Sequence, residues 1–143
     1  MEDNQDSNQL RLLSIFHFVV AGIAGIFSLF PIIHLLVGIG ILTGAFDEGT
    51  NGVQPPPVIG WLFISIALVF ITVGLTLATC IAVAGGKLGR RAGYSYCIAV
   101  AGIECIFMPF GTVLGVLTIM VLLRPSVKLL FGITAAPTMP KIG

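Results

Sequence analysis

The sequence contains 143 residues, of which 57% are hydrophobic and 9% are charged, and its formal net charge at pH 7 is +1. Soluble domains carry about 25% charged residues, and a water-soluble fold of this size could not bury so much apolar surface. The composition therefore excludes an ordinary soluble domain.

The apolar residues form long runs that predict membrane-spanning helices. Residues 12–46 and 53–86 contain no charged residue, and residues 94–123 contain only Glu104. Each run is longer than the roughly 20 residues that a helix needs to cross the hydrocarbon core. None shows the alternating pattern of a transmembrane β-barrel. The sequence therefore predicts an all-α integral membrane protein with a single domain over residues 1–143.

In chain order, the pattern predicts four transmembrane helices between two polar tails. The predicted segments are an N-terminal tail 1–9, helix one 10–46, an acidic Pro/Gly-rich loop 47–56, helix two 57–86, helix three 89–108, helix four 111–131 and a C-terminal tail 132–143. Helix one, at about 54 Å, is too long for a straight crossing. We therefore expect either a kink at Pro31 with a strong tilt, or a first part that runs along the cytoplasmic interface. A second hairpin at "LFPII" is a third alternative, although the stretch has no Gly, Asn or Asp to make a turn.

Basic residues flank the third apolar run on both sides and set the predicted topology. They are Lys87, Arg90 and Arg91 before the run, and Arg124 and Lys128 after it. Lys and Arg near helix ends favour the cytoplasmic side. A single crossing would place the second group outside, whereas a tight hairpin at Pro109–Gly111 places both groups inside. We therefore expect four helices with both termini cytoplasmic, and three helices are the alternative.

Four stretches carry a family resemblance: "LLSIFHFVVAGI", "FPIIHLL", "AGIECIFMPFGTVLGV" and "VLLRPSVKLLF". Together they resemble a family of small multi-span bacterial membrane proteins with no assigned function. The resemblance covers most of the chain except the acidic loop and the two tails. It implies a bacterial cytoplasmic membrane, and it supplies no activity, cofactor or catalytic residue.

Small residues at helical spacing predict packing faces, because they allow helix backbones to approach closely in lipid. The same faces could instead serve self-association or the docking of a partner. The candidates are Ala21, Ala24 and Ser28 on helix one, Ser65, Thr72, Thr76 and Thr79 on helix two, and Gly111 and Gly115 on helix four.

Glu104 is the main candidate for chemistry, because an acid within a membrane helix is costly unless it is protonated or paired. We expect it to face the bundle with His34 as its partner, forming a candidate intramembrane polar site. A neutral pair is favoured over an ion pair, since it avoids burying two charges. The alternative to a structural role is a proton or cation site.

His17 and His34 are the only histidines, and they are candidate axial ligands of a haem or a chlorophyll. A bis-histidine haem would need a ligand from another helix, so the sequence predicts no cofactor. The three cysteines Cys80, Cys97 and Cys105 show no metal-binding spacing, and no metal site is predicted.

The functional expectation is a non-enzymatic membrane protein that acts by association. It would be an accessory subunit of a larger membrane complex or a homo-oligomer, with the lipid bilayer and other membrane subunits or itself as partners. No nucleophile–base pair is visible, and no nucleic-acid partner is expected. The alternatives are a small proton or cation transporter that uses Glu104, and a redox or photosynthetic subunit that uses His17 or His34.

Overall fold

The computed structural model describes residues 2–45, 55–107 and 110–133, less the side chains of residues 2, 3 and 110. Within these ranges the chain is helical with no strand, which confirms the all-α prediction. Most of the predicted acidic loop and C-terminal tail lies outside the described residues. The helices are α1 (Glu2–Ser28), α2 (Ile32–Thr43), α3 (Pro57–Gly89), α4 (Tyr94–Glu104), α5 (Phe110–Leu122) and α6 (Pro125–Leu130).

The first helix begins earlier than predicted, and the helical structure is interrupted near the middle of the first apolar run. Helix α1 starts at Glu2, within the segment that was expected to be a polar tail. Side chains of this segment bond to distant arginines: Ser7 accepts from Arg91 at 2.7 Å, and Gln9 accepts from Arg124 at 2.8 Å. The helical hydrogen bonding then changes over residues 29–31, where Pro31 has no N–H to donate.

Helix three of the prediction begins later in the structure because the backbone after α3 adopts left-handed dihedrals. Arg91 has φ 53° and Gly93 has φ 68°. Such values end a right-handed helix and favour glycine. As a result α4 begins at Tyr94 instead of residue 89, and it ends at Glu104 instead of residue 108.

Helix four of the prediction is divided by Pro125. Arg124 is extended, with φ −63° and ψ 135°, because the residue before a proline avoids helical dihedrals. Helix α5 therefore ends at Leu122, and Pro125 starts the short helix α6. Of the predicted hairpin turn, Met108 and Pro109 lie outside the described residues.

Helices α4 and α5 pack against each other as an antiparallel pair. The Tyr94 hydroxyl donates to the Leu122 carbonyl at 3.0 Å, and at the opposite end the Thr112 hydroxyl donates to the Cys105 carbonyl at 2.9 Å. With 11 and 13 residues, the two helices measure about 16 and 20 Å. Both are shorter than the 20-residue helices that the sequence predicts.

Two segments of the described chain are long and apolar enough to cross a membrane. They are Asn4–Thr43 with 40 residues, which includes the interruption before α2, and Pro57–Gly89 with 33 residues. A crossing needs about 20 residues, so each segment exceeds that length.

The chain divides into two compact units. Unit 1 comprises Met1–Ala21 and Cys80–Gly143, and unit 2 comprises Gly22–Thr79. In unit 2, α2 and α3 approach closely, since a Cβ built on Gly38 would lie 2.8 Å from the Gly60 carbonyl oxygen. Unit 1 contains the larger buried core, formed by Leu10, Leu13, Ala21, Ile81, Ala84, Leu88, Cys97, Val100, Leu114, Leu122 and Val127.

Candidate functional site: a buried histidine–glutamate pair

The core of unit 1 contains two buried ionisable side chains in contact with each other. His17 of α1 is 0% exposed and Glu104 of α4 is 1% exposed, and His17 Nε2 lies 3.2 Å from Glu104 Oε2. Buried ionisable groups are rare unless they are paired. This contact is therefore the candidate functional site of the described chain.

Helix α1 buries His17 because one of its faces carries the residues that contact the core. Leu10, Leu13 and His17 follow at steps of three and four and are all buried. Gly85 of α3 permits the close approach, since a Cβ there would lie 2.9 Å from the Cβ of His17. The Ser14 hydroxyl donates to the Gly85 carbonyl at 2.6 Å and fixes this contact.

Glu104 is the last residue of α4 and continues the buried face of that helix. Cys97, Val100 and Ala101 precede it on this face. Helix α5 approaches the same helix at Gly115, where a Cβ would collide with the Ala101 carbonyl oxygen. The short helix and its close partner therefore hold the carboxyl group within the core.

The second ring nitrogen of His17 determines which atom faces Glu104. Nδ1 lies 2.9 Å from the Leu13 carbonyl oxygen, which can only accept a hydrogen bond. We therefore assign the hydrogen to Nδ1, and Nε2 is left to face the carboxyl group. One hydrogen between Nε2 and Oε2 would keep the pair net neutral, either as a carboxyl O–H facing a neutral imidazole or as an imidazolium N–H facing a carboxylate.

A loss or a gain of one proton would leave an uncompensated buried charge in the pair. Loss of the proton would leave a carboxylate beside a neutral ring, and gain of another would leave an imidazolium beside a neutral carboxyl. Both states are costly in a site closed to water. Chemically, the arrangement can store one proton and can exchange it when water reaches the pair.

Four buried side-chain atoms lack a hydrogen-bond partner among the described residues: His17 Nε2, both carboxyl oxygens of Glu104, and Thr118 Oγ1. Nε2 and Oε2 are within hydrogen-bond distance of each other, but they lack the alignment of a well-directed bond. Thr118 belongs to α5 and is 0% exposed. Among the side chains that the structure describes, buried polar atoms without a partner thus belong to three residues.

Several other titratable groups described in unit 1 make contacts of their own. Tyr96 donates to the Cys80 carbonyl at 3.3 Å, and the Cys97 thiol lies 3.9 Å from the Ala84 carbonyl oxygen. Lys87 Nζ lies 5.1 Å from the centre of the Tyr96 ring. None of these contacts involves the histidine–glutamate pair.

The predicted partner of Glu104 was wrong, because the structure pairs it with His17 instead of His34. His34 is exposed, and its ring lies 6.2 Å from that of Phe30 and 5.9 Å from that of Phe63. The prediction assumed that helix three extends to residue 108, which places Glu104 at the depth of His34. Because α4 is short and its basic flank lies beside the start of α1, Glu104 lies level with His17.

The basic residues on either side of the hairpin lie at one end of unit 1. Arg91 bonds to Ser7 and Arg124 bonds to Gln9, and the Arg124 guanidinium also lies 3.4 Å from Asp6. Both arginines thus contact the first turns of α1. Their positions agree with a chain that reverses between α4 and α5.

The contacts of His17 argue against the predicted role as a haem or chlorophyll ligand, because Nδ1 faces a carbonyl and Nε2 faces Glu104. His34 has only aromatic ring contacts among those observed. In the described ranges, no group of three or more His, Cys, Asp or Glu side chains could hold a metal ion. The cysteines Cys80, Cys97 and Cys105 are free thiols.

The predicted packing residues differ in their surroundings. Gly111 and Gly115 pack against α4, Ser28 packs against Gly74, Ala21 is buried and Ala24 is half-buried. The hydroxyl stripe of α3, by contrast, is exposed, and three of its four hydroxyls donate to carbonyls of their own helix at 2.7 to 2.8 Å. This stripe comprises Ser65, Thr72, Thr76 and Thr79.

Comparisons of the chain with protein-family models, with curated proteins and with solved structures found no match. Sequence reasoning considered His17 as a cofactor ligand or a packed histidine without pairing it with Glu104, and it did not identify Thr118 or Gly85. The spacing of Leu10, Leu13 and His17 at steps of three and four is a sequence signal that could have placed His17 on a buried face.

Proposed function

We propose that the chain is a multi-pass helical protein of the bacterial cytoplasmic membrane that moves protons through His17 and Glu104. The observation that carries the proposal is the 3.2 Å contact between these two buried side chains. Ionisable residues within a membrane mark proton relays and ion pathways by default. A relay normally needs more than one such group, and His17 supplies the second group that Glu104 lacked in the sequence analysis.

The proposed topology has the basic end of unit 1 in the cytoplasm, following the preference of Lys and Arg for that side. The segment Asn4–Thr43 leads outward and Pro57–Gly89 leads back. Helices α4 and α5 are too short to span a core of about 30 Å. They form a hairpin that enters from the cytoplasmic face and returns to it, so both termini are cytoplasmic.

This topology places the pair well within the hydrocarbon region. His17 lies six residues beyond Arg11, about 9 Å along a helix, and Glu104 lies ten residues beyond Tyr94, about 15 Å. The two distances place the pair about 9 to 15 Å from the basic end, within a core of about 30 Å. At that depth a proton site has no direct access to either surface, so its exchange requires water or motion of the helices.

The proposal is tested with the purified chain in liposomes that contain a pH-sensitive dye. A potassium gradient with valinomycin drives proton entry, and wild type is compared with Glu104→Gln and with the control His34→Gln. We expect entry above that of empty liposomes for wild type and the control, and a loss of at least tenfold for Glu104→Gln. Equal rates in all three proteins, or in wild type and empty liposomes, would contradict the proposal.

A second candidate function, association with a second copy of the chain, is favoured by the exposed hydroxyl stripe of α3. Small hydroxyl residues allow close helix–helix contact in lipid and bond across the interface. Crosslinking of Thr76→Cys tests this candidate, with Phe70→Cys as a control about 120° around the same helix. Efficient dimer formation at residue 76 alone would support association, and equal crosslinking at both positions would argue against it.

A further inference from the structure

We infer that the groove between α1 and α5 is a binding site for one anionic phospholipid, with the phosphate on the Arg124 guanidinium and an acyl chain along the groove. The inference rests on the membrane location in the proposed function, but it does not depend on proton movement. His17 and Glu104 do not line this groove. The groove is therefore a second site of unit 1, separate from the buried pair.

The groove has apolar walls and is open to the surroundings of the chain. Its volume is about 220 Å³, which is below the roughly 300–1,000 Å³ of pockets that enclose a whole small molecule. A groove of this size holds part of a ligand, such as one hydrocarbon chain. Leu13 is buried, whereas Leu12, Leu117 and Met120 are exposed, so the groove opens outward. The apolar residues that line it are Leu12, Leu13, Leu117, Met120 and Val121.

The polar end of the groove lies at the basic end of unit 1. Gln9 and Arg124 line the groove there, and the Gln9 side chain accepts from Arg124 Nη1 at 2.8 Å. Leu117 precedes Arg124 by two turns, about 10 Å along a helix. In the proposed topology the groove thus extends from the cytoplasmic interface into the hydrocarbon region. A phospholipid has the same orientation, because its phosphate lies at the interface and its acyl chains form the hydrocarbon core.

Arg124 has hydrogen-bond donors left for a phosphate group. Among the described residues, its side-chain contacts are all made by Nη1, which bonds to Gln9 and lies 3.4 Å from the Asp6 carboxylate. A guanidinium has five N–H donors on three nitrogens, so Nη2 and Nε remain for another acceptor. The side chain is 49% exposed. A guanidinium edge matches two oxygens of one phosphate, which gives a bidentate, charge-assisted contact.

The charge around Arg124 favours a headgroup with a net negative charge over a zwitterionic one. Asp6 is the one acid that the described side chains place at this end of unit 1, and it faces Nη1. Five cations outnumber it there: Lys87, Arg90, Arg91, Arg124 and Lys128. Basic pockets between membrane helices on the cytoplasmic side bind anionic lipid headgroups. The groove therefore combines an apolar wall for the acyl chain with a basic end for the headgroup.

The test is native mass spectrometry of the intact chain, with equal amounts of phosphatidylglycerol and phosphatidylcholine in the detergent micelles. The amount of each lipid adduct is measured at an ionic strength of about 0.15 M, where charges more than about 8 Å apart are screened. We expect wild type to bind phosphatidylglycerol about fivefold over phosphatidylcholine, because the basic end favours the anionic headgroup. Equal adducts of the two lipids would overturn the inference.

Two pairs of variants separate the site from a general attraction to a basic surface. Arg124→Gln should lower the phosphatidylglycerol adduct about tenfold, because it removes the bidentate contact. Arg90→Gln removes the same charge from an exposed residue outside the groove, and it should lower the adduct less than about twofold. Leu117→Trp should fill the groove and lower the adduct as much as Arg124→Gln. Its control is Val116→Trp, because both residues are 45% exposed and Val116 does not line the groove.

An equal loss in Arg124→Gln and Arg90→Gln would overturn the inference. An unchanged adduct in Leu117→Trp would show an anion on Arg124 without an acyl chain in the groove, and a chain dimer in place of the adduct would assign the groove to a second copy; either result overturns the inference. If Arg124→Gln fails to fold, the Leu117 and Val116 variants still decide it. Equal adducts of the two lipids, with proton entry that depends on Glu104, would remove this inference and leave the proposed function, and the opposite pattern would do the reverse.

Discussion

A double-mutant cycle between His17 and Glu104 measures the contact on which the account depends. Both side chains are closed to solvent, so replacing either with leucine leaves the other polar group buried and unpaired. Each single change should therefore cost about 1–3 kcal/mol. Replacing both removes the unsatisfied groups together, and the double variant should cost much less than the sum. We expect a coupling energy of about 2 kcal/mol.

The assay is reversible unfolding in detergent micelles, followed by circular dichroism. His34 provides the matched control, because it is the other histidine and contacts only aromatic rings among the observed interactions. The free energies of His34→Leu and Glu104→Leu should add within about 0.5 kcal/mol. A coupling below that value for His17, or an equally large coupling for His34, would refute the reasoning.

Three further predictions concern the environment of the pair. Glu104→Gln should cost under about 1 kcal/mol, because the amide can donate to the histidine ring, whereas a cost of about 3–5 kcal/mol would indicate a charged pair; the same unfolding assay distinguishes them. Gly115→Ala should cost about 1–3 kcal/mol, since its methyl group would collide with the Ala101 carbonyl, whereas Gly102→Ala, with nothing within 4 Å, should not destabilise the chain. Ser14→Ala should cost about 1 kcal/mol for its lost bond to α3, and an unchanged unfolding free energy would contradict that contact.

The helical class and the long apolar segments could be predicted from the sequence, because they depend on composition and on the spacing of charges. The break near Pro31 depends on the chemistry of one residue and is also visible in advance. The end of α3 could not be predicted in the same way, because Arg91 after it has a positive φ although it is not a glycine. Helix α4 therefore begins at a later residue than predicted, and this changes the depth at which Glu104 lies.

The composition of the site depends on contacts between distant segments, which local patterns do not reveal. Thr118 and Thr72 both lie in apolar helical sequence, yet only Thr72 bonds to its own helix. The pairing of Glu104 with one of two histidines likewise depends on where three helices end. These are tertiary properties. The sequence indicates a glutamate and a histidine as the residue types of the site, but it does not indicate which histidine contacts Glu104.

The most direct test of the account is the ¹⁵N NMR spectrum of the chain with labelled histidine, in wild type and in Glu104→Gln. The chain contains only two histidines, so each ring can be assigned with one further variant. We predict that Nδ1 of His17 carries a hydrogen and that its Nε2 signal shifts in Glu104→Gln, while the His34 signals stay unchanged. An unchanged His17 ring together with a shifted His34 ring would contradict the pair at the centre of the proposed proton site.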